Sequence, residues 1–270
     1  MNTLELNNGL RIDQLGFGTA DIGDDEITKN AVQSAIDVGY RRIDTASYYD
    51  NEHVIGEVIS NSDLPREEFT IATKVWNSDQ GYDGTLNSIQ TSMRKLKTDY
   101  IDIFLLHWPV PNKRLKSWKA MEELYESGTL KAIGVSNFTI DHLEELIQHS
   151  PVPPVINQVE FHPFLFQSEL LKYCNSKDII LEAYSPLVVG KKFNHPLLQK
   201  LSETYNKTPA QILLRWGIQL EISVIPKASS FSRIQENFYI FDFNIESEDM
   251  TDLSSLHEDL RTNWDPTGVK

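Results

Sequence analysis

The chain has 270 residues, of which 40% are hydrophobic, and its formal net charge at pH 7 is −14. Nucleic acids and anionic membranes are therefore not expected as partners, because both attract basic surfaces. A chain of this length can bury a large core, and α/β barrels of about 250 residues form one domain. We therefore expect a single domain over residues 1–270.

The sequence carries no apolar run of about 18 residues, and Met1–Leu10 does not combine a basic segment with an apolar one. We expect no membrane span and no secretory signal, and hence a cytoplasmic protein. Cys174 is the only cysteine, which excludes an internal disulfide and a cysteine-based zinc cluster. It is expected to be a small, partly buried side chain on a helix. Six histidines show no metal-ligand spacing, so no metal is expected: His53, His142, His149, His162, His195 and His257.

The first predicted element is a β-hairpin, in which Thr3–Leu6 and Leu10–Ile12 alternate apolar and polar residues around Asn7-Asn8-Gly9. Strand-length apolar runs and amphipathic helices then take turns along the chain. The eight predicted strands lie near Leu15, near Ile43 and over Phe69–Thr73, Ile101–Leu106, Lys131–Val135, Val155–Val159, Ile179–Ala183 and Ser223–Ile225. The predicted helices lie near Glu26–Val38, Thr85–Lys97, Ser117–Ser127, Ile140–His149, Ser168–Asn175, Pro209–Gln219 and Ser232–Tyr239.

Strands that alternate with helices pair in parallel through right-handed crossovers. Eight such units without a linker favour a closed (β/α)8 TIM barrel over an open sheet, with the N-terminal hairpin closing the bottom. The C-terminal ends of the strands then all open on one face. Residues that end the predicted strands, or lie just beyond them, are therefore expected to share a pocket: Asp44, Lys74, His107, Asn137, Gln158, Tyr184 and Lys227.

Four residues in this set of strand ends and loops suggest proton donation. Tyr49 lies in a predicted loop five residues beyond Asp44, and Lys74 and His107 end the next two strands. A phenol with a pKa near 10 is a weak acid at neutral pH, but a neighbouring ammonium lowers that value. Asp44 would offset the desolvation of Lys74, and His107 would orient a carbonyl oxygen. Singly, these residues have ordinary structural explanations, and their shared position at the strand ends favours the catalytic interpretation.

Several segments match the signatures of a known family: Gly39–Ala46 with Tyr49 and Asn51-Glu52, Leu105–Pro109, Ile133–Phe138, Asn157–Glu160 and Ile225–Lys227. On these segments the chain resembles the aldo-keto reductases throughout its length. The resemblance is strongest to the short bacterial members, such as the 2,5-diketo-D-gluconate and glyoxal or methylglyoxal reductases. It implies a reductase in which NADP(H) supplies a hydride, the 4-pro-R hydride, and the protein supplies orientation and a proton.

The resemblance assigns a role to each candidate residue. Tyr49 becomes the general acid, with Asp44, Lys74 and His107 as its partners. Ser136, Asn137 and Gln158 would hold the carboxamide of the cofactor, and Tyr184 would stack on its nicotinamide ring. The full set implied for cofactor binding is Ser136, Asn137, Gln158, Tyr184, Ser185, Leu187, Lys227, Ser229, Arg233, Glu236 and Asn237.

Cofactor choice depends on Lys227 and Arg233, which match the family's contacts to the adenosine 2′-phosphate, while the last two residues of that set match contacts to the adenine. This pattern indicates NADPH. The absence of a Gly-x-Gly-x-x-Gly loop argues against a Rossmann module. Ala228 departs from the Ser of many relatives, although Ser229 or Ser230 could donate in its place.

The family's substrate-pocket positions are Ala20, Asp21, Trp76, His107 and Trp108. The chain ends soon after Asn263–Pro266, so only a short C-terminal segment is expected to cover the pocket. We predict that small aldehydes, α-dicarbonyls and keto-sugars are better substrates than steroids, and that Asp21 disfavours anionic keto-acids.

Two other functions remain open. A barrel lyase or aldolase could use Lys74 as a Schiff-base amine, since a desolvated lysine becomes nucleophilic. Alternatively, the chain could be a non-catalytic NADPH-binding module, although the presence of Tyr49, Lys74 and His107 argues against that function. The resemblance implies a monomer.

Overall fold

The structure is a computed structural model that describes residues 2–270. An antiparallel pair, β1 (Thr3–Glu5) and β2 (Arg11–Asp13), precedes a parallel eight-stranded sheet whose strands pair in chain order. The eight strands are β3 (Phe17–Gly18), β4 (Arg42–Asp44), β5 (Thr70–Val75), β6 (Ile103–Leu106), β7 (Ile133–Ser136), β8 (Ile156–Glu160), β9 (Ile180–Tyr184) and β10 (Ser223–Val224). The helices are α1 (Asp25–Val38), α2 (Glu52–Ser60), α3 (Tyr82–Leu96), α4 (Arg114–Glu126), α5 (Ile140–His149), α6 (Ser168–Ser176), α7 (Pro196–Tyr205), α8 (Pro209–Gln219), α9 (Phe231–Phe238) and α10 (Ser247–Ser254).

The sheet closes on itself between its first and last strands. The amide of Val224 donates to the carbonyl of Gln14 at 3.0 Å, and the amide of Gly16 donates back to the carbonyl of Val224 at 2.9 Å. Leu15 and Val224 form the parallel bridge between these bonds. The predicted (β/α)8 barrel is therefore confirmed.

The N-terminal hairpin closes the bottom of this barrel, as predicted. Its apolar residues Leu6 and Ile12 are buried in one cluster with the barrel residues Ala72, Ile103, Leu105, Ala132, Val155 and Ile156. The side chain of Asn7 donates to the carbonyl of Pro154, and that of Asn8 to the carbonyl of Lys131, each at 3.0 Å. These bonds fix the hairpin to the loops that enter the barrel from below.

The helices bury their apolar faces against the outside of the sheet. In α1 the side chain of Asp24 caps the first turn by accepting from the amide of Ile27, and the helix ends at Gly39, whose φ of +123° requires glycine. Most predicted helices agree with the structure to within three residues. Within residues 2–270, no helix has the length and apolar character needed to span a membrane.

Several strands extend further than the sequence indicated. Strand β5 was predicted to end at Thr73, and it runs to Val75 because Lys74 is still paired in register with Leu105 of β6. Similarly, β9 ends at Tyr184 rather than Ala183. A polar side chain that points into the barrel does not interrupt the backbone ladder, so the end of an apolar run places the end of a strand too early.

Three helices were not predicted, namely α2, α7 and α10. The loop predicted beyond Asp44 extends over Tyr49 to Glu52. This prediction is wrong for Glu52, which is the first residue of α2. Val54, Ile55, Val58 and Ile59 are buried at helical spacing and provided the missed signal. Helix α7 begins with a His195 cap and Pro196 at its first position, which are recognisable start signals.

Candidate active site

A cavity of about 720 Å³ opens at the C-terminal ends of the barrel strands. Most of the sequence-predicted site residues line it: Ala20, Asp21, Asp44, Tyr49, Trp76, His107, Trp108, Ser136, Asn137, Gln158, Tyr184, Ser185, Leu187 and Lys227. Residues from strands and loops spread over two hundred positions of the chain thus reach one space. A larger groove, of about 1140 Å³, lies beside the N-terminal hairpin at the opposite end, away from these groups.

Tyr49 is positioned by a 3₁₀ turn, Ser47–Tyr49, that follows β4 directly. The hydroxyl of Ser47 donates to the carbonyl of Lys74 at 2.9 Å and accepts from the amide of Trp76 at 3.2 Å. These two bonds fix the turn to the end of β5. The phenol of Tyr49 is therefore placed by the backbone of the neighbouring strand and not by an isolated loop.

Lys74 lies directly beneath the cavity and has no solvent exposure. Its ammonium donates to Oδ1 of Asp44 at 2.6 Å and to the carbonyl of Thr45 at 2.8 Å. Burial alone would lower the pKa of Lys74, but the negative charges of Asp44 and Glu182 raise it above its ordinary value. The amine therefore remains a cation.

The rings of Tyr49 and His107 meet edge to face, with their centroids 5.7 Å apart. The ammonium of Lys74 lies 5.1 Å from the centroid of the Tyr49 ring. Burial raises the pKa of Tyr49, and although Lys74 acts in the opposite direction, the net shift is upward. The lowered pKa predicted for Tyr49 from the sequence is therefore wrong, because the desolvation of the phenol exceeds the effect of Lys74. Tyr49 therefore keeps its proton at physiological pH.

His107 is a buried, neutral imidazole. Burial first, and then the positive charge of Lys74, hold the pKa of His107 well below its usual range. Among the residues that the structure describes, none is a hydrogen-bond partner for its buried Nδ1. A neutral ring beside Tyr49 can orient a carbonyl oxygen without adding a second cation to the cavity.

A chain of buried polar groups continues below the cavity. The side-chain nitrogen of Gln158 donates to Oδ2 of Asp44 and to Oε1 of Glu182, each at 2.8 Å. Glu182 in turn pairs with the guanidinium of Arg42 at 2.5 Å and accepts from the hydroxyl of Ser223 at 2.7 Å. Because a carboxylate only accepts hydrogen bonds, the carboxylates of Asp44 and Glu182 fix the direction in which the Gln158 amide points.

Sequence reasoning did not assign Glu182 or Arg42 to the site. The available signal was a charged residue within the apolar run Ile179–Ala183, since a strand buried on both faces carries a carboxylate only where a partner exists. Arg42 was part of a matching segment and received no role.

Polar groups on one wall of the cavity are already linked to one another. The phenol of Tyr184 donates to Oδ1 of Asn137 at 2.8 Å, and the side-chain nitrogen of Asn137 donates to the carbonyl of His107 at 3.0 Å and to Oγ of Ser136 at 3.1 Å. Asn137 has a φ of +63°, a conformation that asparagine tolerates better than most residues. Oε1 of Gln158 accepts no hydrogen bond from residues 2–270.

The predicted contacts to the far end of the cofactor are more dispersed. Lys227 lines the cavity, and its ammonium donates to the carbonyl of Asp21 at 2.9 Å. Ser229 lies two residues before α9, and Arg233 lies in its first turn. Both residues are exposed, and neither lines the cavity. Glu236 accepts from the hydroxyl of Thr208 at 2.7 Å, and Asn237 is buried beside it.

The structure adds nine cavity residues to those assigned from the sequence, of which four come from strand ends and from the loop after β9: Gly18, Pro186, Val189 and Ile225. Tyr48 stacks on Trp76 with the ring centroids 3.8 Å apart. Four more come from the C-terminal segment that was expected to cover the pocket: Arg261, Thr262, Asn263 and Trp264. The signal available for Trp264 was its position, as a tryptophan in a polar tail beyond the last predicted helix.

Two further observations limit the chemistry. Within residues 2–270, no group of three or more His, Cys, Asp or Glu side chains is arranged to hold a metal ion. Cys174 is fully buried on α6 rather than partly buried, and burial raises the pKa of its thiol to about 12, so it is an inert structural residue.

Comparison with known proteins identifies relatives along nearly the whole chain. An uncharacterized oxidoreductase of Bacillus subtilis, YtbE, is 46% identical over 97% of this chain and 95% of its own length. The glyoxal reductase of the same organism is 43% identical, with 98% and 96% covered. The methylglyoxal reductase DkgA of Escherichia coli is 40% identical, with 97% and 96% covered.

Solved structures share the fold. An aldo-keto reductase from a Medee basin deep-sea metagenome library has a TM-score of 0.96 at 40% identity, over 99% of both chains. An aldo-keto reductase of Bombyx mori in complex with NADP has a TM-score of 0.90 at 33% identity, over 96% of this chain and 94% of its own. The model of the Aldo/keto reductase family matches residues 14–258. The chain therefore belongs to the aldo/keto reductase family, as the sequence segments indicated.

Proposed function

We propose that this protein is an NADPH-dependent reductase of small aldehydes, α-dicarbonyls and keto-sugars, in which Tyr49 donates the proton. The observation that carries the proposal is the meeting of Tyr49 and His107 in one cavity above the buried pair of Lys74 and Asp44. The similarity to the glyoxal and methylglyoxal reductases, and to an aldo-keto reductase in complex with NADP, supports the substrate class and the cofactor.

The residues of the cavity wall fit the nicotinamide end of such a cofactor. Oε1 of Gln158 is free to accept from the NH₂ of a carboxamide, because its nitrogen is committed to Asp44 and Glu182. The hydroxyl of Ser136 accepts from Asn137, so its own hydrogen is free to bind the carboxamide oxygen. Tyr184 provides an aromatic face beside these groups. When bound, the cofactor supplies the hydride.

The protein residues supply the proton. Tyr49 is neutral at physiological pH and faces the cavity, so its hydroxyl can bind a carbonyl oxygen and protonate it. The phenolate left behind is stabilised by the adjacent ammonium of Lys74, whose charge Asp44 maintains. The neutral His107 directs the same carbonyl oxygen toward Tyr49.

The environment of Lys74 does not support the Schiff-base lyase or aldolase function. A nucleophilic lysine must lose its proton, whereas the pKa of Lys74 is raised and its ammonium is bonded to Asp44 and Thr45. In addition, Lys74 lies beneath Tyr49 and does not line the cavity. A carbonyl carbon therefore has no access to its nitrogen.

The dimensions and lining of the cavity favour small, partly polar substrates. Trp76, Trp108 and Trp264 form an aromatic wall, while Asp21 adds a negative charge near the entrance. Small carbonyl compounds with hydroxyl or second carbonyl groups match this combination. Asp21 is expected to oppose keto-acids by charge repulsion.

The proposal is tested by following NADPH absorbance with glyoxal, methylglyoxal, aldoses, keto-sugars, aromatic aldehydes and a 3-ketosteroid, and by repeating the panel with NADH. We expect NADPH oxidation with the small carbonyls and a higher kcat/KM for methylglyoxal than for the steroid. Steroid turnover at the higher kcat/KM would contradict the substrate class, and the absence of any turnover would contradict the function.

A further inference from the structure

The C-terminal segment Arg261–Trp264 forms the outer wall of the cavity, and one buried carboxylate fixes it there. Trp264 lies 6.1 Å from Trp76 and 6.0 Å from Trp108, measured between ring centroids. This aromatic wall is therefore built partly by strand ends and partly by a segment that contains no helix or strand. Its position must be maintained by bonds to the barrel.

Glu160, the last residue of β8, provides those bonds. Its Oε1 accepts from the amide of Thr262 at 2.7 Å and from the hydroxyl of Thr262 at 2.6 Å. Its Oε2 accepts from the amide of Asn263 at 3.1 Å. The amides of Thr262 and Asn263, the two residues before Trp264, thus both donate to a single carboxylate.

The carboxylate of Glu160 depends on these donors in turn. Its side chain is 1% exposed, and within residues 2–270 its only side-chain partner outside the tail is Nε2 of His162 at 3.3 Å. Burial would raise the pKa of Glu160, but the hydrogen bonds from His162 and Thr262 lower it to about 2. Without the segment the carboxylate would lose three of its four hydrogen bonds, so the bonded arrangement is favoured.

The end of the chain, beyond Trp264, has an anchor of its own that is separate from the contacts of Glu160. His142 bonds the carbonyl of Val269 at 3.0 Å, and Arg114 donates to the carbonyl of Lys270 at 2.8 Å. These contacts lie behind the cavity and fix the end of the chain. The residues that line the cavity are held by the contacts of Glu160 and by a bond from the side-chain nitrogen of Asn263 to Oγ of Ser185 at 3.1 Å.

We propose that Glu160 is a positioning residue, a latch that fixes Thr262 and Asn263 so that Trp264 completes the substrate wall of the cavity. This inference rests on the proposed reductase function and assigns a role to a residue of the segment Asn157–Glu160 that the function itself does not use. Glu160 does not reach the reacting atoms, so its effect is on substrate binding rather than on the chemical step.

The test uses the 270-residue chain, two variants that alter the contacts of Glu160 and one control variant. Glu160→Gln retains the shape of the side chain and replaces one carboxylate oxygen by an NH₂ group. This group is a donor, so it cannot accept from the amide of Asn263 or Thr262 that it then faces. Thr262→Ala removes one donor only. Thr267→Ala is the matched control, because the hydroxyl of Thr267 bonds Asp265 in the same tail without contacting Glu160. Thermal unfolding establishes that each variant folds.

The first measurement is limited trypsin digestion, with mass spectrometry of the cut after Arg261. In the wild type we expect this bond to be protected, because its own amide nitrogen, that of Thr262, donates to Glu160. We expect cleavage there to be faster by about tenfold or more in Glu160→Gln, and by a smaller factor in Thr262→Ala. Thr267→Ala is expected to behave as the wild type. Wild-type cleavage in Glu160→Gln would overturn the latch.

The second measurement separates positioning from general stability. We expect the KM for methylglyoxal to rise by about fivefold or more in Glu160→Gln, with kcat and the Kd of NADPH within about twofold of the wild type. An unchanged KM despite faster cleavage would overturn the role in the substrate wall. If the wild type reduces no carbonyl compound, the proposed function fails, while the digestion still decides the latch.

Discussion

The ammonium of Lys74 donates a 2.6 Å hydrogen bond to Oδ1 of Asp44 in a part of the barrel where neither side chain has appreciable exposure. Bringing two charges into such a place costs desolvation energy, and the cost is recovered only if both partners remain. The pair supports Tyr49 from below, and Gln158 bonds the other oxygen of Asp44. Stability and the proposed proton donation by Tyr49 therefore depend on the same contact.

Asp44→Asn is expected to lower the free energy of unfolding by roughly 3–5 kcal/mol, because it leaves the ammonium of Lys74 buried without its counter-charge. Urea unfolding followed by fluorescence measures this change. The double variant Asp44→Asn with Lys74→Met, which removes both charges, should recover part of the stability and none of the reductase activity. A single variant as stable as the wild type would contradict the role of the pair.

Tyr49→Phe should lower kcat/KM for methylglyoxal by about 10²–10⁴-fold, the usual contribution of a general acid. NADPH binding, measured by quenching of tryptophan fluorescence, should remain near the wild-type value because the ring is retained. Tyr82→Phe is the matched control: it loses a hydroxyl that bonds Glu123 on the surface and does not line the cavity. Near-normal turnover by Tyr49→Phe would show that another group donates the proton.

The neutral state of His107 predicts a simple pH profile for reduction. Because its pKa lies well below 6.5 and that of Tyr49 is raised above 10, neither group titrates between pH 6.5 and 9. Stopped-flow measurement of kcat/KM across this interval should therefore give a flat profile. An inflection between these limits that disappears in His107→Asn would contradict the assignment.

The same shift of the pKa of His107 affects stability. Below about pH 6.5 the unfolded chain binds a proton at His107 and the native protein does not, so stability falls as the pH decreases and is unaffected by this group above that value. The loss approaches about 1.4 kcal/mol per pH unit. Urea unfolding at pH 5.0, 6.0 and 7.5 should show a smaller decrease for His107→Asn than for the wild type.

The barrel and most of its site were accessible from the sequence because local patterns determine them. The alternation around Asn7-Asn8-Gly9 gave the hairpin, and the apolar runs gave the eight strands, whose C-terminal ends share one face by geometry. That placement was enough to gather Asp44, Tyr49 and His107 in one cavity. Helix α2 was missed although its apolar residues had helical spacing.

The remaining features depend on contacts between distant parts of the chain. The bonds from Thr262 to Glu160 join residues more than one hundred positions apart, and nothing in the local sequence of either indicates the other. The same holds for Arg42 and Glu182, whose pairing depends on the register across the closed barrel. The direction of the pKa shift of Tyr49 also required the structure, since it results from burial exceeding the effect of Lys74.

Arg233 provides the sharpest test of cofactor choice, because it is an exposed cation on α9 in a protein with a net charge of −14. If it binds the 2′-phosphate, Arg233→Ala should raise the Kd of NADPH by about 10–100-fold, the range for hydrogen bonds to a charged partner, and leave that of NADH unchanged. Fluorescence titrations of both cofactors measure this difference. Arg11→Ala, which removes an exposed arginine paired with Glu5 in the hairpin at the opposite end of the barrel, is the control and should change neither value. An equal loss of affinity for NADPH and NADH would place Arg233 away from the 2′-phosphate. Addition of 0.5 M salt should weaken NADPH binding more in the wild type than in Arg233→Ala, because salt screens the attraction between the guanidinium and the phosphate.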